Sequence, residues 1–142
     1  MPQQAITDAE VQSCFPVMQE LRPHLIKDAF LNTIRHMETE GFRLAYIKDD
    51  NEVVAAAGFR IYTNLVVGKH LYVDDLITAE KHRSKGYGEQ MITWLRNLAK
   101  EQGCRYFHLD SGTHRDQAHK FYFRQGLVIK SYHFAEVLES GA

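Results

Sequence analysis

The spacing of apolar residues changes its period twice along this chain. Between residues 25 and 40, apolar side chains recur at the spacing of a helix, and Gly41 follows as a stop signal. From Phe42 the pattern is that of strands, and from Gly88 the helical spacing returns. A chain that alternates in this way between strand and helix patterns is expected to form a mixed α/β fold.

These periods and the turn signals between them assign the elements in order. Thr7–Glu10 has the form of a capping box, so a helix should follow, and Pro16 should kink or break it. Lys48–Asn51 is a predicted turn that joins two strands in a hairpin. Residues 3–6 offer at best a short first strand. After the helix over 25–40 we expect strands at 42–47, 52–62, 65–67 and 70–78, a helix at 88–100, a strand at 106–109, a helix at 117–124 and a last strand region at 127–137.

The second half of this order contains a strand–helix–strand crossover. Because such a connection joins parallel strands, the strands at 73–78 and 105–109 should be parallel. The predicted fold class is therefore α/β, with a mixed central sheet that starts as an antiparallel meander, continues into the parallel crossover and is flanked by helices. With no repeat or linker in its 142 residues, the chain is expected to be a single domain over residues 1–142.

Charge and hydropathy exclude several classes of protein. The 17 Lys and Arg residues balance 18 Asp and Glu residues, so no global positive field would hold nucleic acid or an anionic membrane. The longest apolar run, Val53–Phe59, is well short of the ~20 residues that a membrane-spanning helix needs. Cys14 and Cys104, without a secretion signal before them, should be reduced thiols, and the expected location is cytoplasmic.

The segment Arg83–Gly88 joins a predicted strand to the start of a predicted helix. Its glycines allow a tight turn in which backbone N–H groups face outward. These N–H groups and the helix dipole favour an anion, and Arg83 and Lys85 add positive charge. The spacing is neither that of the dinucleotide-binding G-x-G-x-x-G nor that of a P-loop. A pyrophosphate would suit this loop, although glycine-rich turns before helices also occur without any ligand.

Two segments together resemble a known family. The pattern R-x-x-G-x-G at Arg83–Gly88, after the strand that ends at Thr78, resembles the acetyl-CoA-binding motif of the GNAT N-acetyltransferase superfamily. Ala118–Leu127 resembles the family's A-x-x-[FL]-Y-x-x-x-G-F helix and turn, at a fitting interval. The chain departs from the family pattern at Thr78, usually Val, at Glu80, usually Pro, and at Leu127, commonly Phe.

The resemblance implies that the protein moves the acetyl group of acetyl-CoA to a primary amine. Backbone N–H groups near Leu76–Thr78 would stabilise the oxyanion that forms, and Tyr122 stands where the family has its general acid. Arg115 occupies a position that is often Asn in the family, and the resemblance implies a cofactor contact there. The residues expected to bind the cofactor are Leu76, Ile77, Thr78, Arg83, Ser84, Lys85, Gly86, Tyr87, Gly88, Glu89 and Arg115.

The reaction also needs a general base. An alkyl amine has a pKa near 10.4, so reaching its free base at pH 7 costs ~4–5 kcal/mol, and a carboxylate or a histidine must take the proton. Asp75 is the first candidate and Asp110 the second, with Asp74 behind them; in a regular strand Asp74 and Asp75 would point to opposite faces. A histidine among His108, His114 and His119 is the alternative. We expect no metal site, because these histidines lack the spacing of zinc ligands.

The acceptor is expected to be an amine of a small molecule or of a peptide. The helix around Tyr122 resembles the branch of the family that acetylates small aminoalkyl compounds, such as aminoalkylphosphonates. Nucleic acid and membrane are not expected as partners, and a homodimer is possible because edge strands near the C-terminus often pair in this family. The alternative to an enzyme is a non-catalytic module that binds acyl-CoA as a sensor or interaction partner.

Overall fold

A five-stranded sheet with strand order β1-β2-β3-β4-β5 organises the first part of the chain. The computed structural model describes residues 1–139, which form two compact units, Met1–Leu109 and the residues from Asp110 onward. The first unit contains β1 (Gln3–Gln4), α1 (Asp8–Ser13), α2 (Phe15–Leu21), α3 (Lys27–Glu38), β2 (Phe42–Asp49), β3 (Glu52–Asn64), β4 (Gly68–Thr78), a short 3-10 helix (Glu80–His82), α4 (Tyr87–Glu101) and β5 (Tyr106–Leu109).

The first helix begins and breaks where the sequence predicts. The Thr7 hydroxyl accepts the Glu10 N–H at 3.1 Å, and the Glu10 carboxylate accepts the Thr7 N–H at 2.8 Å, which completes the capping box. The helix ends at Cys14, and α2 starts with Pro16 in its first turn, where a missing N–H costs nothing. The predicted break at Pro16 is confirmed.

The pairing of the strands confirms the predicted mixed sheet. β1 to β4 pair antiparallel in sequence order, and β4 pairs with β5 in parallel. One core cluster packs α1, α2 and α3 on one face of the sheet, around Phe15, Phe30, Phe42 and Leu44. A second cluster packs α4 on the other face, around Phe59, Leu71, Met91 and Leu95. None of the described helices is long and apolar enough to cross a membrane.

The expected strand at residues 65–67 is wrong, because these residues form the turn between β3 and β4. The side-chain oxygen of Asn64 accepts the N–H groups of Val66 at 3.1 Å and Val67 at 2.9 Å. Gly68 then follows with φ 78°. These local hydrogen bonds give the backbone an alternative to strand pairing, and Leu65 and Val66 are fully exposed as a result.

The second unit contains one helix and the segment that follows it. The helix α5 (Asp116–Arg124) ends in a Schellman motif: the Leu127 N–H donates to the Tyr122 carbonyl, the Gly126 N–H donates to the Phe123 carbonyl, and Gly126 has φ 88°. The expected last strand at 127–137 is wrong for the described chain, since residues 127–138 have no regular secondary structure. An apolar segment becomes a strand only when a partner satisfies its backbone groups, and none pairs with it within residues 1–139.

Candidate active site

The predicted cofactor loop has the backbone conformation of an anion site. Gly86, with φ 86°, is the residue that caps the N-terminus of α4, and Ser84 is also left-handed, with φ 66°. The N–H groups of Ser84–Glu89 have no hydrogen-bond acceptor among the described residues, whereas Gln90 makes the first helical bond to the Gly86 carbonyl. Free N–H groups at the positive end of a 15-residue helix can hold a phosphate group.

The basic side chains around this loop divide into two pairs, Lys81 with His82 and Arg83 with Lys85. Lys81 lies 2.6 Å from the Glu52 carboxylate and His82 lies 3.2 Å from it, so the charge of Lys81 is already neutralised. Lys85 contacts the His82 ring, and the exposed Arg83 side chain approaches the Thr78 carbonyl at 3.5 Å. Of these four side chains, Arg83 and Lys85 have no carboxylate partner within the described residues.

The strand before the loop has an open edge. β4 continues to Thr78, but its parallel pairing with β5 ends at Val73 and Leu109. The edge of Asp74–Thr78 that faces away from β3 therefore has no strand partner within residues 1–139. This segment includes the predicted Leu76, Ile77 and Thr78. Backbone groups on such an edge can pair with an extended ligand or donate to an oxyanion.

Asp74 and Asp75 lie at a bulge in β4. The register pairs Gly58 with Asp75 and Phe59 with Val73, so Asp74 is an extra residue without an opposite partner. Both carboxylates reach guanidinium groups: Asp75 lies 2.8 Å from Arg22 and Asp74 lies 2.9 Å from Arg60.

The bulge brings both carboxylates to the same face of the sheet. Arg60 lies over the ring of Phe42, and Asp75 faces Gly58 beside that ring. The expectation that Asp74 and Asp75 point to opposite faces is therefore wrong, because the extra residue interrupts the two-residue alternation. A one-residue bulge leaves no mark in the apolar pattern from which the strand was predicted.

Gly58 is a site residue that the sequence analysis missed. A Cβ atom at this position would overlap the Phe42 ring and would lie 2.8 Å from the Asp75 carboxylate. The absence of a side chain lets Phe42 and Asp75 approach the β3 backbone at the same point. A glycine inside a predicted strand was the available signal for such a close approach.

Arg22 is the second missed residue, and it is the ion-pair partner of Asp75. Burial raises the pKa of the Asp75 carboxyl above its ordinary value, and the hydrogen bond and charge of Arg22 act in the opposite direction. The Arg22 Nη2 group also donates to the Asp74 carbonyl at 3.2 Å. Arg22 follows α2 directly, more than fifty residues from Asp75 in sequence, and no local pattern marks this pairing.

The predicted general acid lies in the second unit, together with Arg115. Burial raises the pKa of the Tyr122 hydroxyl, while the charge and hydrogen bond of Arg115 oppose the shift. Tyr122 therefore stays protonated at neutral pH and can donate a proton. Its ring lies 5.6 Å from that of Phe121, and Asp110 is the exposed first residue of this unit.

Two of the three histidines considered as alternative bases, His108 and His119, have structural contacts. His108 packs in β5 against His70, at 4.8 Å between ring centroids, and against Tyr72, at 5.1 Å. The His119 Nε2 group lies 2.8 Å from the Gly112 carbonyl, so this nitrogen carries the proton and donates. Within residues 1–139, no three His, Cys, Asp or Glu side chains are grouped as a metal site would require.

Comparison with known proteins relates this arrangement to one family. The model of the "Acetyltransferase (GNAT) family" matches residues 6–127. YhdJ, an uncharacterized N-acetyltransferase of Bacillus subtilis (strain 168), is 30% identical over 133 residues, which cover 92% of this chain and 94% of that protein. The aminoalkylphosphonate N-acetyltransferase of Salmonella typhimurium is 26% identical over 66 residues, 46% of this chain and 43% of that protein.

A solved structure extends the likeness to the fold. The aminoglycoside N-acetyltransferase AAC(6')-Iy, solved in complex with CoA, superposes with a TM-score of 0.85 at 14% identity, over 97% of this chain and 94% of that chain. The mixed sheet and the order of its strands are thus those of acetyltransferases of this kind. Since the family model spans most of the sequence, the chain belongs to the GNAT acetyltransferase family.

Proposed function

We propose that the protein transfers the acetyl group of acetyl-CoA to a primary amine of a small molecule. The observation that carries this proposal is that two features follow each other after Val73. The first is the open strand edge over Asp74–Thr78, and the second is the loop whose N–H groups are free at the start of α4. An extended thioester arm suits the first feature, and a pyrophosphate suits the second.

The residues of the loop fit the pyrophosphate of acetyl-CoA. The N–H groups of Ser84–Glu89 supply donors, and Arg83 and Lys85 supply charge without a carboxylate partner in the described chain. Nothing lies within 4 Å of the place that a Cβ of Gly86 would take, so a phosphate can approach the backbone there. The cofactor contact expected from Arg115 remains a prediction. In the second unit, burial raises the pKa of the Tyr122 hydroxyl and the charge of the Arg115 side chain lowers it.

In the proposed reaction, the acceptor nitrogen forms a bond to the acetyl carbonyl carbon. A carboxylate takes the ammonium proton, and Asp75 remains the first candidate, with Asp110 second. N–H groups along Leu76–Thr78 stabilise the oxyanion; such donors supply ~3–4 kcal/mol in other enzymes. The carbon–sulfur bond then breaks, and Tyr122, whose raised pKa keeps its hydroxyl protonated at neutral pH, donates its proton to the leaving thiolate.

A small aminoalkyl compound is the acceptor class that the comparisons favour. The aminoalkylphosphonate N-acetyltransferase aligns with part of this chain, and the solved aminoglycoside N-acetyltransferase shares its fold. Both of those proteins are named for small amines. The amine of a peptide remains the other acceptor class, and it is an arm of the test below.

We further propose that residues 1–142 act as one acetyltransferase domain and that two copies associate. The family match runs from residue 6 to residue 127, so it covers nearly all of the first compact unit and continues into the second. After α5, a run of apolar side chains is exposed, with Tyr132 at 83% and Phe134 at 92%. An exposed apolar segment of this kind is typical of a protein interface. The cytoplasmic location stays a prediction from the sequence.

Light scattering on the full-length protein tests the association. A mass of twice 16.4 kDa for the wild type and a smaller mass for Phe134→Ser would support the dimer. A wild type that is monomeric at every concentration measured would contradict it.

The function is tested by calorimetry with CoA and by thiol release from acetyl-CoA. The acceptors tested are aminoalkylphosphonates, amino sugars and a short peptide with a free N-terminus. We expect CoA to bind and the thiol to appear only when a small amine is present. Binding of CoA without turnover of any amine would favour the acyl-CoA sensor, and a wild type that does not bind CoA would overturn the cofactor assignment.

A further inference from the structure

The β2–β3 hairpin ends in a tight turn that carries acidic side chains. Asp50 and Asn51 have φ values of 50° and 61°, the left-handed pair of a type I′ turn, whose twist matches that of the flanking strands. Asp49 pairs with Glu52 across the turn, so the two side chains lie on the same face of the hairpin. We call Asp49–Glu52 the acidic hairpin end.

The acidic hairpin end contacts the residues on both sides of 83–86, the part of the cofactor loop before α4. On the C-terminal side, the Tyr87 hydroxyl donates to the Asp49 carboxylate at 2.6 Å. On the N-terminal side, the Glu52 carboxylate lies 2.6 Å from Lys81 and 3.2 Å from His82 Nε2. The loop residues 83–86 thus lie between two points that are fixed to the same rigid turn.

The contact with His82 extends to the cation in the loop. The Lys85 ammonium lies 3.1 Å from His82 Nδ1, and since an ammonium can only donate, Nδ1 is the acceptor. The other ring nitrogen, Nε2, then carries the proton and donates to Glu52. Glu52 therefore orients the His82 ring, and the ring in turn positions Lys85.

From these contacts we propose that Asp49 and Glu52 are positioning residues for the cofactor loop. They hold the loop in the conformation that presents its N–H groups and Lys85 to the pyrophosphate, without contacting the cofactor themselves. This inference rests on the proposed function, because it assumes that the loop binds acetyl-CoA. It assigns a role in cofactor affinity to a hairpin that lies outside both sequence motifs.

Simple electrostatics makes the opposite prediction, which gives the proposal a sharp test. Removing a negative charge near an anion site should strengthen anion binding, because the local potential becomes more positive. If Glu52 acts instead by positioning, its removal should weaken binding although the charge change is favourable. The sign of the change in affinity therefore separates the two explanations.

The test compares Asp49→Ala and Glu52→Ala with Asp50→Asn in the full-length protein. Asp50→Asn removes the same charge from the same turn, and the left-handed conformation suits Asn. The Asp50 side chain is exposed, and its charge acts on Tyr87 without a hydrogen bond to it. We measure the Kd for CoA by calorimetry, and KM for acetyl-CoA and kcat by thiol release. Glu52 is half-exposed, so the fold should tolerate its loss.

We expect Asp49→Ala and Glu52→Ala each to raise the Kd for CoA and the KM for acetyl-CoA about three- to tenfold, the range of one hydrogen bond. The value of kcat at saturation should not change, and Asp50→Asn should bind CoA as the wild type does or more tightly. If both alanine variants bind CoA as tightly as Asp50→Asn, the positioning role is wrong. That result differs from a failure of the proposed function, in which the wild type itself would not bind CoA.

Discussion

The carboxylate of Asp75 lies 2.8 Å from the guanidinium of Arg22, and the side chain of Asp75 is only 13% exposed. Two effects therefore act on this carboxyl in opposite directions. Burial raises its pKa, and Arg22 lowers it. As the proposed general base, Asp75 would have to be ionised to accept a proton, and Arg22 limits the cost of that ionisation.

The first prediction concerns Arg22→Gln. The ionised form of Asp75 loses its partner, so the pKa of Asp75 should rise further. Because the base must be deprotonated, the acid limb of the kcat/KM profile should move to higher pH, with activity recovering in alkaline buffer. The matched control is Arg35→Gln, whose partners are Asp8 and Glu38. If the acid limb does not move in Arg22→Gln, the ionisation of Asp75 does not cause that limb.

The second prediction compares Asp75→Asn with Asp110→Asn. Asn keeps the volume of the side chain and removes its basic group. Asp75→Asn should lower kcat/KM about 10²–10⁴-fold, as general bases do, and flatten the acid limb, with CoA affinity unchanged. The same pattern in Asp110→Asn alone would keep the mechanism and reverse the ranking. If neither variant shows it, neither Asp75 nor Asp110 is the general base.

The third prediction concerns Tyr122→Phe, which removes only the hydroxyl. The value of kcat should fall about 10²–10⁴-fold, because thiolate departure loses its proton donor. Affinity for CoA should stay nearly constant, as measured by calorimetry. Tyr62→Phe is the control, since Tyr62 is exposed and lies on β3. An unchanged kcat, with chemistry rate-limiting, would exclude Tyr122 as the acid.

The fourth prediction tests the loop with a pair of glycines at the two ends of α4. Gly86 and Gly103 have φ values of 86° and 78°, and no atom lies within 4 Å of a Cβ built at either position. Valine at either site should cost roughly 1–2 kcal/mol of stability. Only Gly86→Val should abolish the binding of CoA. Equal loss of binding in Gly103→Val would mean that the helix as a whole, and not the loop, accounts for the effect.

The fifth prediction concerns Gly58→Ala. The added methyl group overlaps the Phe42 ring and crowds the Asp75 carboxylate, so the free energy of unfolding should fall by ~1–3 kcal/mol. Denaturant unfolding measures this loss. Replacing the Phe42 ring by the smaller leucine side chain makes room for this methyl group. The loss in the double variant of Gly58→Ala and Phe42→Leu should therefore be smaller than the sum of the two single losses, which a double-mutant cycle measures. Additive effects would show that Phe42 and Gly58 do not interact.

The elements that the sequence predicts correctly depend on local signals. The capping box at Thr7 and the break at Pro16 each need only a few neighbouring residues. The parallel pairing of β4 with β5 follows from the handedness of a crossover, which holds for nearly all folds. The sequence predicts α5, the helix that carries Tyr122, to within one residue for the same reason. Its apolar residues and the glycine that ends it, Gly126, are near neighbours in the sequence.

The features that the sequence does not reveal depend on contacts between distant residues. The pairing of Arg22 with Asp75 joins the end of a helix to the middle of a strand. The bulge at Asp74 changes which face a side chain takes without changing the composition of the strand. The segment 127–137 has the residues of a strand, but the described chain gives it no neighbour to pair with, and composition alone cannot supply one.

The bulge in β4 has a second consequence, for solubility. An open strand edge is a template on which other chains can add strands, and this is a common route to aggregation. Natural proteins protect such edges with charged residues and with bulges that twist the strand away. The open edge after Val73 begins with both devices, since the bulged residue Asp74 and its neighbour Asp75 are acidic. The irregularity that brings two carboxylates to one face therefore also hinders the addition of a strand from another chain at this edge, a contact separate from the proposed association through the segment after α5.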